Sequence, residues 1–137
     1  MKILINGKAP ALTMKNILKE RYFIFEPHWK WVNDENWIII LVRKDGAGLV
    51  HVNRYKDGSM SISDLFVQPG SRRKGIGHQL LTDAEEIARL HNAADVFLWV
   101  NPSGWHRAWY HRRGYRIIPH AEPTPAGDIY MHKDLTE

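Results

Sequence analysis

Arg72, Gly75 and Gly77 lie in the stretch VQPGSRRKGIGHQLL, residues 67–81, at the spacing Arg-x-x-Gly-x-Gly. Two readings suit that spacing. One is a solvated basic turn. The other is an anion site at a helix start, where backbone N–H groups lack intrahelical partners and the helix dipole adds positive charge. Glycine lets the main chain approach phosphate oxygens closely, and Arg72, Arg73 and Lys74 would neutralise charge around the rim. Two better-known phosphate loops fail on spacing. A Walker A loop needs Gly-Lys-Ser/Thr, yet Gly75 is followed by Ile76-Gly77, and a dinucleotide fingerprint needs a third glycine where Leu80 stands.

The elements that must position this loop follow from apolar periodicity. Met1 to Asn6 reads as a short strand, and Ala11 to Phe23 as an amphipathic helix with Leu12, Ile17, Leu18 and Phe23 on one side. Trp37–Val42, Gly48–Tyr55 and Met60–Val67 read as three strands, punctuated by Asp45-Gly46 and Asp57-Gly58 turns. From Ile76 a stripe of Leu80, Leu81, Ala84, Ile87 and Ala88 marks the clearest helix. A strand at 95–100, a short helix at 105–113 ended by Gly114, and strands at 115–118 and 128–132 complete the chain. The expected order is β-α-β-β-β-α-β-α-β-β. That is an α/β arrangement, helices flanking a mixed, mostly antiparallel sheet, in a single domain over residues 1–137.

Composition narrows the chemistry. The chain has no cysteine, which removes a disulfide framework, a thiolate zinc site and a cysteine nucleophile. A formal charge of +4 favours anionic partners: nucleic acid, a polyanionic cofactor or an acidic membrane. The longest apolar run, WIIILV, is far too short to span a bilayer, and the N-terminus has no signal-peptide core. A soluble, cytoplasmic protein is expected. The eight histidines are scattered singly, with no pair one helical turn apart, so no metal site is expected.

LFVQPGSRRKGIGHQLL resembles the acetyl-coenzyme A motif of the GNAT superfamily of N-acetyltransferases, Gln/Arg-x-x-Gly-x-Gly/Ala, and Leu65, Val67 and Pro69 fit the strand end that precedes it. WYHRRGY, residues 109–115, resembles that family's second segment, an aromatic-Tyr-x-x-x-Gly-Phe/Tyr run. The likeness covers about residues 48–118. It implies acetyl-CoA as acetyl donor, no metal, and direct transfer to an amine without a covalent enzyme intermediate. It further implies that Leu65, Phe66 and Val67 pair with the pantetheine arm and that residues 72–78 (Arg72, Arg73, Lys74, Gly75, Ile76, Gly77, His78) hold the phosphates. Ser103 stands where many members carry a cofactor-binding asparagine.

By the same resemblance, the Val67 N–H would stabilise the thioester oxyanion and Tyr110 would protonate the leaving thiolate. Asp64 corresponds to an aspartate of small-amine acetyltransferases, although Ser63 stands where those carry glutamate. It could attract the amine and take its proton through water, or simply pair with a nearby basic side chain. Trp29 and Trp31 share a face if the chain is extended there, and could wall an acceptor site or merely pack over the sheet. Three rival functions remain. One is a non-catalytic acyl-CoA sensor, and another is an acetyltransferase of protein amines. The third, a nucleic-acid binder, is disfavoured by the acidic residues Asp83, Glu85 and Glu86 along the long helix. Many relatives dimerise, and a homodimer stays open.

Overall fold

The computed structural model describes residues 11–26 and 36–136. The expected strand at 1–6, and Trp29 and Trp31, lie outside the described residues. In chain order the elements are α1 (Ala11–Arg21), β1 (Tyr22–Phe25), β2 (Trp37–Arg43), β3 (Gly48–Arg54), β4 (Met60–Val67), α2 (Ile76–Leu90), β5 (Asp95–Val100), α3 (His106–His111), β6 (Arg116–Ile117) and β7 (Ile129–Asp134). The strands form one seven-stranded sheet in the order β1-β2-β3-β4-β5-β7-β6. Every neighbouring pair is antiparallel except β4 and β5.

Strand β1 corrects the sequence reading, which carried the first helix through Phe23. The helix stops at Arg21 because Tyr22 and Ile24 turn toward the core while Phe23 and Phe25 are exposed, a period of two. Pairing with Ile40–Arg43 of β2 then satisfies the backbone.

One face of the sheet carries the core. Ile39, Leu41, Val50, Val52, Met60, Ile62, Val96, Leu98 and Met131 are buried there against Leu18 of α1 and the Leu80, Leu81, Ala84, Ile87, Ala88 stripe of α2. Two of the three acidic residues of α2 are also buried. Asp83 accepts hydrogen bonds from Arg21 at 2.9 Å and from the Tyr22 hydroxyl, which ties α2 to the first strand. Glu85 accepts from the Tyr115 hydroxyl at 2.8 Å and from Lys133 at 3.0 Å, which ties the same helix to β7. The acidity of α2 is therefore largely internal rather than a solvated face.

Two departures from regularity shape the centre of the sheet. Between the His51↔Ser63 and Leu49↔Phe66 pairs, β4 carries one residue more than β3, a bulge. Asp64 sits in it with φ of 52°, a left-handed backbone that few non-glycine residues adopt. Beyond the bulge, β4 leaves β5: the two parallel strands bridge only at Ser61↔Phe97 among the described residues. Past that bridge β4 and β5 form no further pair among the described residues, which leaves a gap in the pairing on the β5 side of the C-terminal end of β4.

Candidate active site

A cavity of about 880 Å³ lies against the end of β4 and is walled by that strand end, the loop, the start of α2 and the segment of helix α3. Of the residues singled out in the sequence, Leu65, Phe66, Val67, Arg72, Arg73, Gly75, Ile76, Gly77, His78 and Tyr110 line it. Lys74, Ser103 and Asp64 are not part of its wall.

Its anion-binding end is built by α2. Gly75 caps the helix at φ 77°, a conformation that favours glycine, and no side chain caps it. The first helical bond runs from the Gln79 N–H to the Gly75 carbonyl. The N–H groups of Ile76, Gly77 and His78 therefore have no intrahelical acceptor and are available to an anion. Gly77 is where three elements meet: a β-carbon there would lie 3.5 Å from the Trp109 ring and 3.6 Å from Val67 Cγ2. Alanine would fit in ordinary contact, but a larger side chain would push α3 off the helix.

The carbonyl-binding end is built by β4. The Gln68 N–H donates to the Ala47 carbonyl at 2.8 Å across the β3–β4 ladder. Antiparallel pairs alternate between hydrogen-bonded and non-hydrogen-bonded, so the next pair, Gly48↔Val67, is of the second kind. The Val67 N–H consequently points away from β3, into the gap left by β5. The Val67 carbonyl accepts a hydrogen bond from Arg72 Nε at 3.1 Å, which folds the arginine back over the strand end.

Tyr110, on α3, packs edge-on against Trp109 and Tyr115, with ring centroids 4.9 and 5.5 Å apart. Burial pushes its phenol up to about 12, with Arg113 pulling weakly the other way. The hydroxyl is thus a protonated donor throughout the neutral range.

Asp64 lies on the bulge with an exposed carboxylate, 3.1 Å from His51 Nδ1. Ser63 Oγ donates to the same carboxylate at 3.3 Å. A basic neighbour is therefore present, as one of the two sequence readings required, yet the carboxylate keeps an open side. Ser103 sits in a turn closed by its own N–H to Asn101 Oδ1 at 2.9 Å. Trp99 belongs to neither the core nor the cavity. It stands on the far face of the sheet beside Phe97 and Tyr130.

Residues 32–117 match the family model for the acetyltransferase (GNAT) domain. The chain belongs to the GNAT acetyltransferases. Solved structures agree in fold. A Klebsiella pneumoniae subsp. pneumoniae MGH 78578 structure assigned as an acyl-CoA N-acyltransferase superposes with a TM-score of 0.61 at 18% identity, covering 83% of this chain and 97% of that one. Nourseothricin acetyltransferase gives 0.57 at 19%, over 84% and 85% of the two chains. A GNAT family acetyltransferase of Elizabethkingia anophelis, solved with acetyl-CoA bound, gives 0.58 at 17%, over 73% and 76%. No curated protein matches in sequence.

Within this GNAT domain the cavity is also lined by Trp105, Trp109 and Arg113, whose aromatic and basic character in the sequence suits a place near the cofactor, and by Ser71 and His106, which the sequence reading did not single out. Trp105 stacks on His106 with centroids 3.9 Å apart and is largely exposed. Arg113 lies over the Trp109 ring at 3.7 Å. One signal for that contact was legible, since Trp109 and Arg113 are four apart within the stretch 105–113 that the sequence reads as a helix, although α3 itself ends at His111. Among the described residues, no helix is long and apolar enough to cross a membrane, and no three His, Asp or Glu gather as metal ligands.

Proposed function

We propose that this chain is an acetyl-CoA-dependent N-acetyltransferase that moves the acetyl group directly onto a primary amine of a small molecule, as a single cytoplasmic domain. The observation that carries the reading is the convergence in one cavity of three groups: the open N-terminus of α2, the outward Val67 N–H and the protonated Tyr110 phenol. The cavity has the anion donors at one end and the strand gap at the other, which fits a ligand with a diphosphate and an extended amide arm.

In this mechanism the α2 N-terminus and Arg72 and Arg73 hold the diphosphate. Leu65 to Val67 pair with the amide arm as a strand would. The Val67 N–H hydrogen-bonds the thioester carbonyl oxygen and stabilises the negative charge that develops when the amine attacks. The acceptor ammonium gives one proton to solvent before it attacks. As the carbon–nitrogen bond forms and the carbon–sulfur bond breaks, Tyr110 gives its proton to the leaving sulfur. It is then reprotonated from solvent, which takes up the second proton that the amine nitrogen releases. Asp64 draws the acceptor's ammonium toward the bulge. Lys74 and Ser103 contribute to donor binding from outside the cavity wall.

Calorimetric titration with acetyl-CoA, followed by thiol release against a panel of amines, tests the reading. Micromolar binding with amine-dependent thiol release is expected. Binding with no release on any amine would favour an acyl-CoA sensor, and absence of binding would remove the proposal.

A further inference from the structure

Arg113 is held more firmly than a surface arginine needs to be. Its guanidinium stacks on Trp109 at 3.7 Å, its Nη1 donates to the Trp109 carbonyl at 2.9 Å, and its Nε donates to His78 Nδ1 at 3.2 Å. A guanidinium has five N–H donors, and among the described residues these two bonds use two of them. Both Arg113 and His78 line the cavity.

His78 is the third residue of α2, so its own N–H belongs to the open helix start. A ring whose Nδ1 accepts a hydrogen bond carries its proton on Nε2. The contact with Arg113 therefore fixes which His78 nitrogen can donate. It also brings the remaining guanidinium donors within one side chain of the anion site. A planar, stacked guanidinium is suited to fork-like bonding of phosphate oxygens, and little rotamer freedom is left to lose on binding.

We propose that Arg113 and His78 act as one recognition unit for the diphosphate of the acyl donor, with the Trp109 ring as its platform. The inference rests on the acetyl-CoA reading and deepens it. It makes the nucleotide diphosphate, rather than the acyl-pantetheine arm alone, the determinant of donor choice. The three arginines that line this cavity, Arg72, Arg73 and Arg113, then come from two distant parts of the chain, with His78 as the bridge.

Calorimetry on wild type, Arg113→Gln, Arg113→Lys and His78→Ala decides the matter, using three donors: acetyl-CoA, its 3′-dephospho form and acetyl-pantetheine. Loss of a hydrogen bond to a charged group predicts that Arg113→Gln weakens acetyl-CoA binding about tenfold to hundredfold. Arg113→Lys recovers little, because an ammonium neither stacks nor forks in the same way. The 3′-dephospho donor loses the same factor. Acetyl-pantetheine binds wild type and variant alike. An Arg113→Gln affinity within twofold of wild type would overturn the proposal while leaving the acetyltransferase reading intact. Equal losses on acetyl-pantetheine would reduce Arg113 to a structural fastening of α3 on α2. A loss confined to the 3′-phosphorylated donor would place the contact on the ribose phosphate and refute the diphosphate assignment. Failure of wild type to bind acetyl-CoA would remove both readings at once.

Discussion

At the scale of single residues, two side chains carry opposite burdens. Tyr110 is buried enough to hold its proton to about 12. Its acid form therefore persists while an acceptor amine becomes deprotonated, so turnover should climb with pH and show no fall as pH passes 10. Tyr110→Phe should lower turnover by roughly a hundredfold with the acetyl-CoA dissociation constant nearly unchanged. A wild-type rate that declines near pH 10, or a phenylalanine variant with normal turnover, would remove the tyrosine from the acid role. Asp64 occupies a backbone conformation that costs an L-residue about 1 kcal/mol. Glycine relieves that cost, so Asp64→Gly should leave stability unchanged or raise it by up to about 1 kcal/mol, while raising the KM of a cationic acceptor severalfold. A stability loss with an unaltered KM would mean that the carboxylate only ties the bulge to His51.

At the scale of elements, Gly48 governs the end of β4. A β-carbon there would lie 2.5 Å from the Phe66 carbonyl oxygen and 2.9 Å from Leu80 Cδ1. That oxygen belongs to the same peptide unit as the Val67 N–H. Gly48→Ala should therefore cost about 1–3 kcal/mol in denaturant unfolding and also turn the proposed oxyanion donor out of line, lowering turnover beyond the loss in folded fraction. Normal turnover in the folded variant would separate Val67 from the reaction. None of this was legible in the sequence, where Gly48 reads only as a strand start. Helix α2 was legible because its stripe repeats over about three turns, and the loop because its residue spacing has few physical uses. β1 was hidden because Phe23 extends the helical pattern of Leu12, Ile17 and Leu18, and only the tertiary partner in β2 overrides it. The contact between Arg113 and His78 was hidden for a related reason. It spans 35 residues and exists only once α3 is laid across the start of α2.

At the scale of the whole molecule, α2 is the keel. Its two buried carboxylates reach the first strand through Arg21 and Tyr22, and the last through Lys133 and Tyr115. Three tyrosines share the consequence. Burial, reinforced by the Asp83 hydrogen bond for Tyr22 and by Glu85 for Tyr115, raises both phenols far above the usual range, and burial raises Tyr110 as well. The folded chain therefore keeps protons that the unfolded chain releases above about pH 10. Unfolding then releases protons, so stability is full below pH 10 and falls as the pH rises through 10 to 12. Urea midpoints at pH 8.5 and 11 should show the drop, with the phenolate absorbance of Tyr22 and Tyr115, isolated by comparison with their phenylalanine variants, appearing together with unfolding rather than before it. Phenolate absorbance from Tyr22 or Tyr115 in the folded state would contradict the network.

The single bridge between β4 and β5 has a mechanical consequence. Among the described residues the sheet is two panels, β1–β4 and β5–β7, joined by one bridge and backed by α2 with α1 beside it. The Val67 amide, turned away from β3, lacks the neighbour that protects a central strand, so deuterium should enter it faster than it enters the amides of β3. An acyl donor lying in the slot supplies that neighbour. Saturation with acetyl-CoA should slow exchange on both lips together, at Val67 and at 98–100, and merge two cooperative units into one. The substrate would then be, for the length of its stay, the missing strand of the protein.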